Sequence, residues 1–171
     1  MMEIKEGDVI LFRRNDSIFS RVISLFTLSS YVHSGIVSFT GEKGVVIAEA
    51  VSSNFKEVYY RNSRLEKKKQ KGKIKVIRPN EKIDIDKLTL FVLSNLGKDY
   101  GFLKLLNIAT KKLFGMNITK SSKNTLICSE ATARAIHVAT NKKINIANEF
   151  KVKFDYIEPS HLERSKNFTH T

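Results

Sequence analysis

The sequence has one cysteine, Cys128, among 171 residues. A single thiol cannot form an intramolecular disulfide, so the chain suits a reducing compartment and keeps a thiol free to react. No apolar run approaches the length of about 20 residues that a membrane-spanning helix needs. The first residues, MMEIKEGDVILF, do not have the pattern of a secretory signal. We therefore expect a cytoplasmic protein and leave peripheral attachment to a membrane open.

No internal repeat and no linker of distinct composition divides the chain. A chain of this length is sufficient to bury a sizeable apolar core. We therefore expect one domain over residues 1–171. The sequence predicts no metal site and no other cofactor.

Acidic residues are scarce: 17 Asp and Glu stand against 30 Lys and Arg, which gives a net charge of +13. Much of the excess lies in the basic segment 56–78, which has ten basic and two acidic residues. Such a segment attracts an anionic partner, and an anionic membrane surface is one that fits. Only Tyr59 and Tyr60 interleave with its cations, which argues against a stacking platform for nucleic acid. A solvated loop of lysines is the alternative.

The periodicity of apolar residues predicts an α+β fold, with an antiparallel sheet in the first half and helices mostly in the second. A hairpin with the loop TGEKG joins the strands at 32–39 and 45–51. Asp84 caps a helix that ends at Gly97, and Ser160 with Glu163 predicts a capping box. The remaining expected strands are 7–12, 56–61 and 73–79, and the expected helices are 17–28, 84–97, 100–115, 128–140 and 159–165.

Cys128 lies where an extended apolar run gives way to the helical pattern CSEATARAIHVAT. A helix that begins there would bring free N–H groups and the positive end of the helix dipole to the sulfur, which favours the thiolate. A thiolate is a nucleophile and needs a base beside it. The alternative is that Cys128 is a small buried apolar residue.

His33 and Glu49 are polar residues within two strands that are otherwise apolar. If the hairpin is symmetric about Glu42, residues whose numbers add up to 84 lie opposite each other. His33 and Glu49 are then diagonal neighbours on one face of the sheet, provided that no bulge intervenes. Glu49 could orient the imidazole and leave its other nitrogen for a thiol. A purely structural His–Glu pair is the alternative. His137 is nine residues from Cys128 along a helix, and is therefore a poor partner for it.

Five stretches, in their order, resemble the circularly permuted papain-like cysteine hydrolases, the YiiX-like branch of the NlpC-type cell-wall peptidase superfamily. They are GDVILF, VHSGIV, AEAV, KDYGF and ICSEATARA. The resemblance implies a papain-like, circularly permuted fold, an antiparallel sheet or small barrel packed against helices. It also implies a Cys128 nucleophile, His33 as general base and acid, Glu49 as its orienting residue, and Tyr100 beside the substrate. Two positions, Ile127 and Ser34, depart from the residues common in this branch.

Three functions remain open at this stage. The first is an amidase or peptidase acting on a peptide through a thioester intermediate. The second is a lipid hydrolase or acyltransferase acting on an acyl amide or ester. An apolar stripe between lysines supports it, although an ordinary core helix would show the same pattern; the stripe is Phe102, Leu105, Leu106, Ala109 and Leu113, beside Lys104, Lys111 and Lys112. The third is a non-catalytic module that binds a membrane or nucleic acid. The oligomeric state is not indicated.

Overall fold

The structure, a computed structural model, describes residues 3–13, 30–51, 53–116 and 124–170. The helix expected at 17–28 lies outside these residues. The strands are β1 (Val9–Arg13), β2 (Tyr31–Gly41), β3 (Gly44–Ala50), β4 (Phe55–Arg61), β5 (Ile74–Pro79), β6 (Asp99–Tyr100), β7 (Thr125–Leu126) and β8 (Phe168–His170). The helices are α1 (Asn62–Gln70), α2 (Ile85–Asn95), α3 (Phe102–Phe114), α4 (Cys128–Ala139), α5 (Ile146–Glu149), a 3-10 turn (Phe154–Tyr156) and α6 (Pro159–Arg164).

Six of the strands form an antiparallel sheet in the order β4-β3-β2-β1-β5-β8, and β6 pairs with β7 in parallel. Alternation along the strands divides the apolar residues between two faces. One face, which includes Leu11, Ile36 and Ala48, packs against α2, α4 and α6. The other, which includes Ile10, Val37 and Ile47, packs against Leu65 of α1. The predicted fold class, α+β with an antiparallel sheet against helices, is confirmed.

The basic segment contains a helix where the sequence predicted a loop. Residues Asn62–Gln70 form α1, which buries a single apolar side chain, Leu65, against the sheet. Lys, Arg, Glu and Gln are good helix formers, so the segment can be helical without the apolar periodicity from which a helix is read. Of its other residues, Asn62, Lys68 and Lys69 are partly buried and the rest are exposed.

The hairpin between β2 and β3 is tighter than predicted. Gly41 pairs with Gly44, so that only two residues form the turn, and a bulge at Ser38 shifts the register. Beyond the bulge, Val37 pairs with Ile47 and Ile36 with Ala48. That is the predicted register, because the extra residue of the bulge compensates for the shorter turn.

Helix ends follow the sequence with one exception. The Asp84 carboxylate accepts a hydrogen bond from the Lys87 N–H at 3.1 Å and caps α2, as predicted. The capping box of α6 is at Glu158 and His161 and not at Ser160 and Glu163. The reason is Pro159, which suits the first position of a helix because no N–H is needed there. The cap therefore falls one residue before the proline.

Candidate active site

Cys128 is the first residue of α4, as the sequence predicted. Ile127 precedes it in an extended conformation, with φ −99° and ψ 158°, and its carbonyl accepts from the Ala131 N–H at 2.9 Å. The small side chains along the helix allow α4 to approach β2, where the hydroxyls of Ser34 and Thr132 are 3.1 Å apart. This packing holds the sulfur beside the sheet, with 4% of Cys128 exposed.

His33 and Glu49 are in direct contact. Nε2 of His33 is 2.5 Å from Oε2 of Glu49. The register that pairs Ile36 with Ala48 makes the two residues diagonal neighbours on adjacent strands. The Glu49 side chain is 3% exposed and that of His33 is 23% exposed. The carboxylate is therefore enclosed, while the imidazole keeps one side open to solvent.

Gly35 lets β2 and β3 approach each other at this point. A Cβ at this position would lie 2.4 Å from Cγ2 of Ile47 and 3.2 Å from Cβ of Glu49. Any larger residue would therefore push β3 away from β2. The absence of a side chain here is what brings the Glu49 carboxylate within reach of the imidazole.

The pairing of β2 with β3 ends at Ile36 and Ala48, and this leaves the Ser34 N–H available to the sulfur of Cys128. Along an antiparallel strand, successive N–H groups point to opposite sides. The Val37 N–H donates to Asp8 on the β1 side at 2.8 Å, so the Ser34 N–H points toward β3, beyond the last pair. It hydrogen-bonds Cys128 there, together with the N–H of Ser129 and the His33 side chain. Nε2 of His33 faces Glu49, so Nδ1 is the nitrogen left for the sulfur.

These contacts change the ionisation of the thiol and the imidazole. Burial by itself raises the pKa of Cys128, but His33 and the two N–H groups outweigh it, so that the pKa of Cys128 is lowered. Burial also lowers the pKa of His33, but the sulfur and then Glu49 act together in the other direction and raise the pKa of His33 to about 10. The two shifts therefore favour a thiolate–imidazolium pair over a neutral thiol and imidazole.

Two aromatic residues complete the surroundings of His33 and Glu49, and neither was predicted to belong to the site. The hydroxyl of Tyr60 donates to Oε1 of Glu49 at 3.0 Å. Burial and then the charge of Glu49 raise the pKa of Tyr60, which keeps it a hydroxyl donor. The ring of Phe12 lies 5.3 Å from that of His33. The one sequence feature that could have indicated a place for Tyr60 in the site is its position in the strand that follows β3.

Tyr100 lies close enough to Cys128 to interact with its charge. Strand β6 pairs with β7 so that Tyr100 is beside Leu126, two residues before Cys128. Burial and then the charge of Cys128 raise the pKa of Tyr100. The structure thus brings all four predicted site residues into one neighbourhood.

The sequence over residues 3–151 matches the family described as permuted papain-like amidase enzyme, YaeF/YiiX, C92 family. The chain belongs to this family. At family level it is therefore a cysteine hydrolase of the amidase or peptidase type. No curated protein matches the chain.

Among solved structures, this YaeF/YiiX family member is similar to yiiX from Escherichia coli O157:H7. The two share 22% sequence identity with a TM-score of 0.64, over 98% of this chain and 96% of the other. That similarity shows the permuted papain-like fold. The yiiX protein is described as a metalloprotein. In the described part of the present chain, no three His, Cys, Asp or Glu side chains are grouped so that they could hold a metal ion.

A buried ion cluster lies behind Cys128 in this family member. The ammonium of Lys104 donates to both oxygens of Glu130, at 2.8 and 3.1 Å, and to the Thr125 carbonyl at 2.7 Å. Arg134 donates to Glu130 at 2.9 Å and to Asp155 at 3.1 Å. The cluster thereby connects α3 to β7 and α4, the two elements on either side of Ile127. The sequence did not indicate it.

Lys104 lies on the buried side of α3, although the sequence analysis grouped it with Lys111 and Lys112 beside the apolar stripe. Lys104, Asn107, Ile108 and Ala109 are buried, and Lys104 does not flank an outward apolar stripe as a surface residue. The outward apolar face of α3 includes three members of the predicted stripe and two further residues: Phe102, Leu103, Leu106, Leu113 and Phe114, which are 37–71% exposed. Of the helices in the described part of the chain, none has the length and apolar character required to cross a bilayer.

Proposed function

We propose that the protein is a cysteine-dependent hydrolase that cleaves an acyl amide through a thioester on Cys128. The observation that carries the proposal is the continuous chain of hydrogen bonds from the sulfur through His33 to Glu49. Such a chain supplies a nucleophile, a proton carrier and a group that fixes the orientation of the carrier. The hydroxyl of Tyr60 donates a further hydrogen bond to Glu49.

In the first step the Cys128 thiolate attacks the carbonyl carbon, and the carbonyl oxygen becomes an oxyanion. The His33 imidazolium then gives its proton to the leaving nitrogen, the C–N bond breaks, and the acyl group remains on sulfur as a thioester. In the second step neutral His33 takes a proton from water, the resulting hydroxide attacks the thioester, and the acid leaves. The imidazolium and thiolate are restored, so protons and electrons balance over the cycle.

The oxyanion needs donors near the sulfur. The N–H of Cys128, at the start of α4, is one candidate, since the first N–H groups of a helix have no acceptor within it. The hydroxyl of Tyr100 is a second candidate, because its raised pKa keeps it protonated beside the sulfur. Its role would be to bind the substrate carbonyl as it acquires charge.

The test is a screen of acyl amides, acyl esters and wall-type peptides, run in parallel with Cys128→Ser protein. Turnover of one class that the serine variant lacks would support the proposal. Iodoacetamide should also label Cys128 at pH 7 faster than it labels glutathione, and His33→Ala should slow that labelling. A Cys128 that is no more reactive than glutathione in the folded protein would leave only the binding functions.

A second candidate function, hydrolysis or transfer of acyl chains at a lipid surface, is supported by the outward apolar face of α3. The ion pair of Lys104 with Glu130 fixes the rotation of α3, so its apolar side chains cannot turn inward. An exposed face of this kind, one residue beyond Gly101 and beside Tyr100, suits contact with lipid. The net charge of +13 complements an anionic membrane, and the basic segment 56–78 is the part expected to contact it.

Co-sedimentation with anionic vesicles at low salt tests this second candidate. Binding should fall in Phe102→Ser and Phe114→Ser proteins, whereas Leu90→Ser on α2, where the leucine is 66% exposed, serves as the matched control. Absence of binding would count against the lipid function. So would a concentration-dependent dimer that the two phenylalanine variants abolish, since the face would then be covered by a second copy.

A further inference from the structure

Lys68, on α1, lies close to the catalytic groups. Its ammonium is 5.4 Å from the centroid of the Phe12 ring and 5.5 Å from that of Tyr60. Phe12 contacts the His33 ring at 5.3 Å, and Tyr60 donates to Glu49. The distances of 5.4 and 5.3 Å are both measured to the centroid of the Phe12 ring. The Lys68 nitrogen is therefore within about 11 Å of the centroid of the His33 ring. A part of the basic segment thus borders the catalytic site.

The charges around Lys68 are mostly of its own sign. Burial comes first in lowering the pKa of Lys68, followed by repulsion from Arg64, one turn earlier on α1, and from Lys73. Glu49 acts in the other direction, but its two oxygens are engaged by His33 and Tyr60. Within the described ranges, neither Lys68 nor Arg64 forms an ion pair. Cations held together without a carboxylate of their own are stabilised by an incoming anion.

The helix dipole gives a different reason for lysines at this end of α1. Lys67, Lys68 and Lys69 form its last turn, and cations there complement the negative end of the dipole. The helix dipole accounts equally for the presence of all three lysines. It does not account for the inward direction of Lys68, which is half-buried over two rings that touch the catalytic groups, while Lys67 is exposed.

We propose that Lys68 and Arg64 form an anion subsite that binds a carboxylate or phosphate of the substrate while Cys128 attacks a carbonyl elsewhere in the same molecule. The inference rests on the proposed function and narrows its substrate class to anionic acyl compounds. Because the Lys68 nitrogen is within about 11 Å of the His33 ring, the negative group is at most several bonds from the carbonyl that reacts. A carboxylate would come from an acidic peptide, and a phosphate from a phospholipid headgroup or another phosphate ester.

Three iodoacetamide probes of equal chain length test the subsite without knowledge of the natural substrate. Their chains end in a carboxylate, a phosphate monoester or a neutral carboxamide. In each case the Cys128 sulfur forms a bond to the CH2 carbon and iodide leaves, so the reacting groups are identical. Both anionic probes, or one of them, should label Cys128 about tenfold faster than the neutral probe at low concentration. The advantage should fall as salt is added.

Variants of α1 separate the subsite from a general positive field. Lys68→Gln should raise the half-saturating concentration of the anionic probe about tenfold, an effect equivalent to one charged contact, and leave the neutral probe unchanged. Arg64→Gln should have a smaller effect in the same direction. Lys67→Gln makes the same change of charge one residue away, on an exposed side chain, and should behave as the wild type.

The outcomes are distinguishable. A preference for the carboxylate probe points to a peptide substrate, and a preference for the phosphate probe points to a phosphate ester. Equal labelling by the charged and neutral probes would overturn the subsite while leaving the proposed function intact. So would equal losses in Lys67→Gln and Lys68→Gln proteins. If none of the probes labels Cys128, the proposed function is wrong and the subsite is wrong with it.

Discussion

Two clusters of polar and charged groups meet at α4, and they differ in how completely their members are paired. In the buried ion cluster, which is called the inner cluster below, Lys104 is 4% exposed, Glu130 is 1% exposed, and all their charged atoms have partners. In the candidate catalytic cluster, Glu49 is similarly enclosed, but His33 is 23% exposed and forms a hydrogen bond with Cys128. Charged groups that are fully paired and enclosed hold elements together, whereas titratable groups with an open side can act on another molecule.

The comparison leads to different expectations for variants of the two clusters. Changes in the catalytic cluster should reduce turnover and leave the fold intact. Changes in the inner cluster should reduce stability first. Measurements of both quantities on the same variants would show whether this division holds.

The largest effect is expected for Cys128→Ser. Hydroxyl is a far weaker nucleophile than thiolate, so turnover of an amide substrate should fall roughly 10⁴-fold, as it does when a member of a catalytic triad is removed. Urea unfolding monitored by circular dichroism should give nearly the wild-type midpoint. Retention of a tenth of the wild-type activity would mean that the thiol is not the nucleophile.

Lys104→Met should destabilise the protein by about 3–5 kcal/mol, because it leaves the buried Glu130 carboxylate with less compensating charge. Urea unfolding measures this loss, and turnover per folded molecule should change much less. In the double variant Lys104→Met, Glu130→Leu part of the stability should return, since both charges are gone. A single-variant loss below about 1 kcal/mol, the value typical of exposed pairs, would show that the cluster is effectively solvated.

The pH dependence follows from the lowered pKa of Cys128 and from the pKa of His33 at about 10. The thiolate–imidazolium pair forms as pH rises through the pKa of Cys128 and is lost as pH rises through the pKa of His33. Amide turnover needs both charges and should follow a bell, with its upper limb near pH 10. Alkylation by iodoacetamide needs only the thiolate, so its rate should rise over the acidic limb and then stay level. A single inflection near 8.5, the pKa of a free thiol, would contradict the pair.

The smallest effect is expected for Tyr60→Phe. Loss of one hydrogen bond to Glu49, worth about 0.5–1.5 kcal/mol, should lower kcat by roughly 2- to 12-fold and leave KM unchanged. The upper limb of the pH profile should move toward lower pH, because Glu49 then holds the imidazolium less firmly. Tyr59→Phe is the control, since Tyr59 is 55% exposed and adjacent in sequence. Equal effects of the two variants would remove Tyr60 from the site.

The contact between His33 and Glu49 was predictable because a strand alternates with a fixed period and both residues interrupt apolar runs. The predicted register is correct near His33 and Glu49 only because two deviations, the shorter turn and the Ser38 bulge, compensate for each other. Neither deviation leaves a clear signal in the sequence. The position of Cys128 at a helix start was readable from the change of pattern after Ile127.

Tyr60 and Lys68 could not be assigned in this way. The proximity of Tyr60 to the site depends on the pairing of β4 with β3, and that of Lys68 on the packing of α1 against the sheet. Helix α1 itself had no apolar periodicity from which to be predicted. The side of α3 that faces the core could not be assigned for a related reason. Lys104 is buried because Glu130, 26 residues later, neutralises it, and a helical pattern cannot show a pairing between distant residues.

The donor that Ser34 offers to the sulfur belongs to the main chain, and side-chain replacement cannot remove it. Substitution of the polar side chains around Cys128 would therefore leave this contribution to its acidity in place. In a protein lacking both the His33 ring and the Glu49 carboxyl, the Ser34 N–H should still favour the thiolate, against the opposing effect of burial, as long as β2 and β3 separate where they do. The path of the backbone thus contributes to the ionisation of Cys128 independently of any side chain.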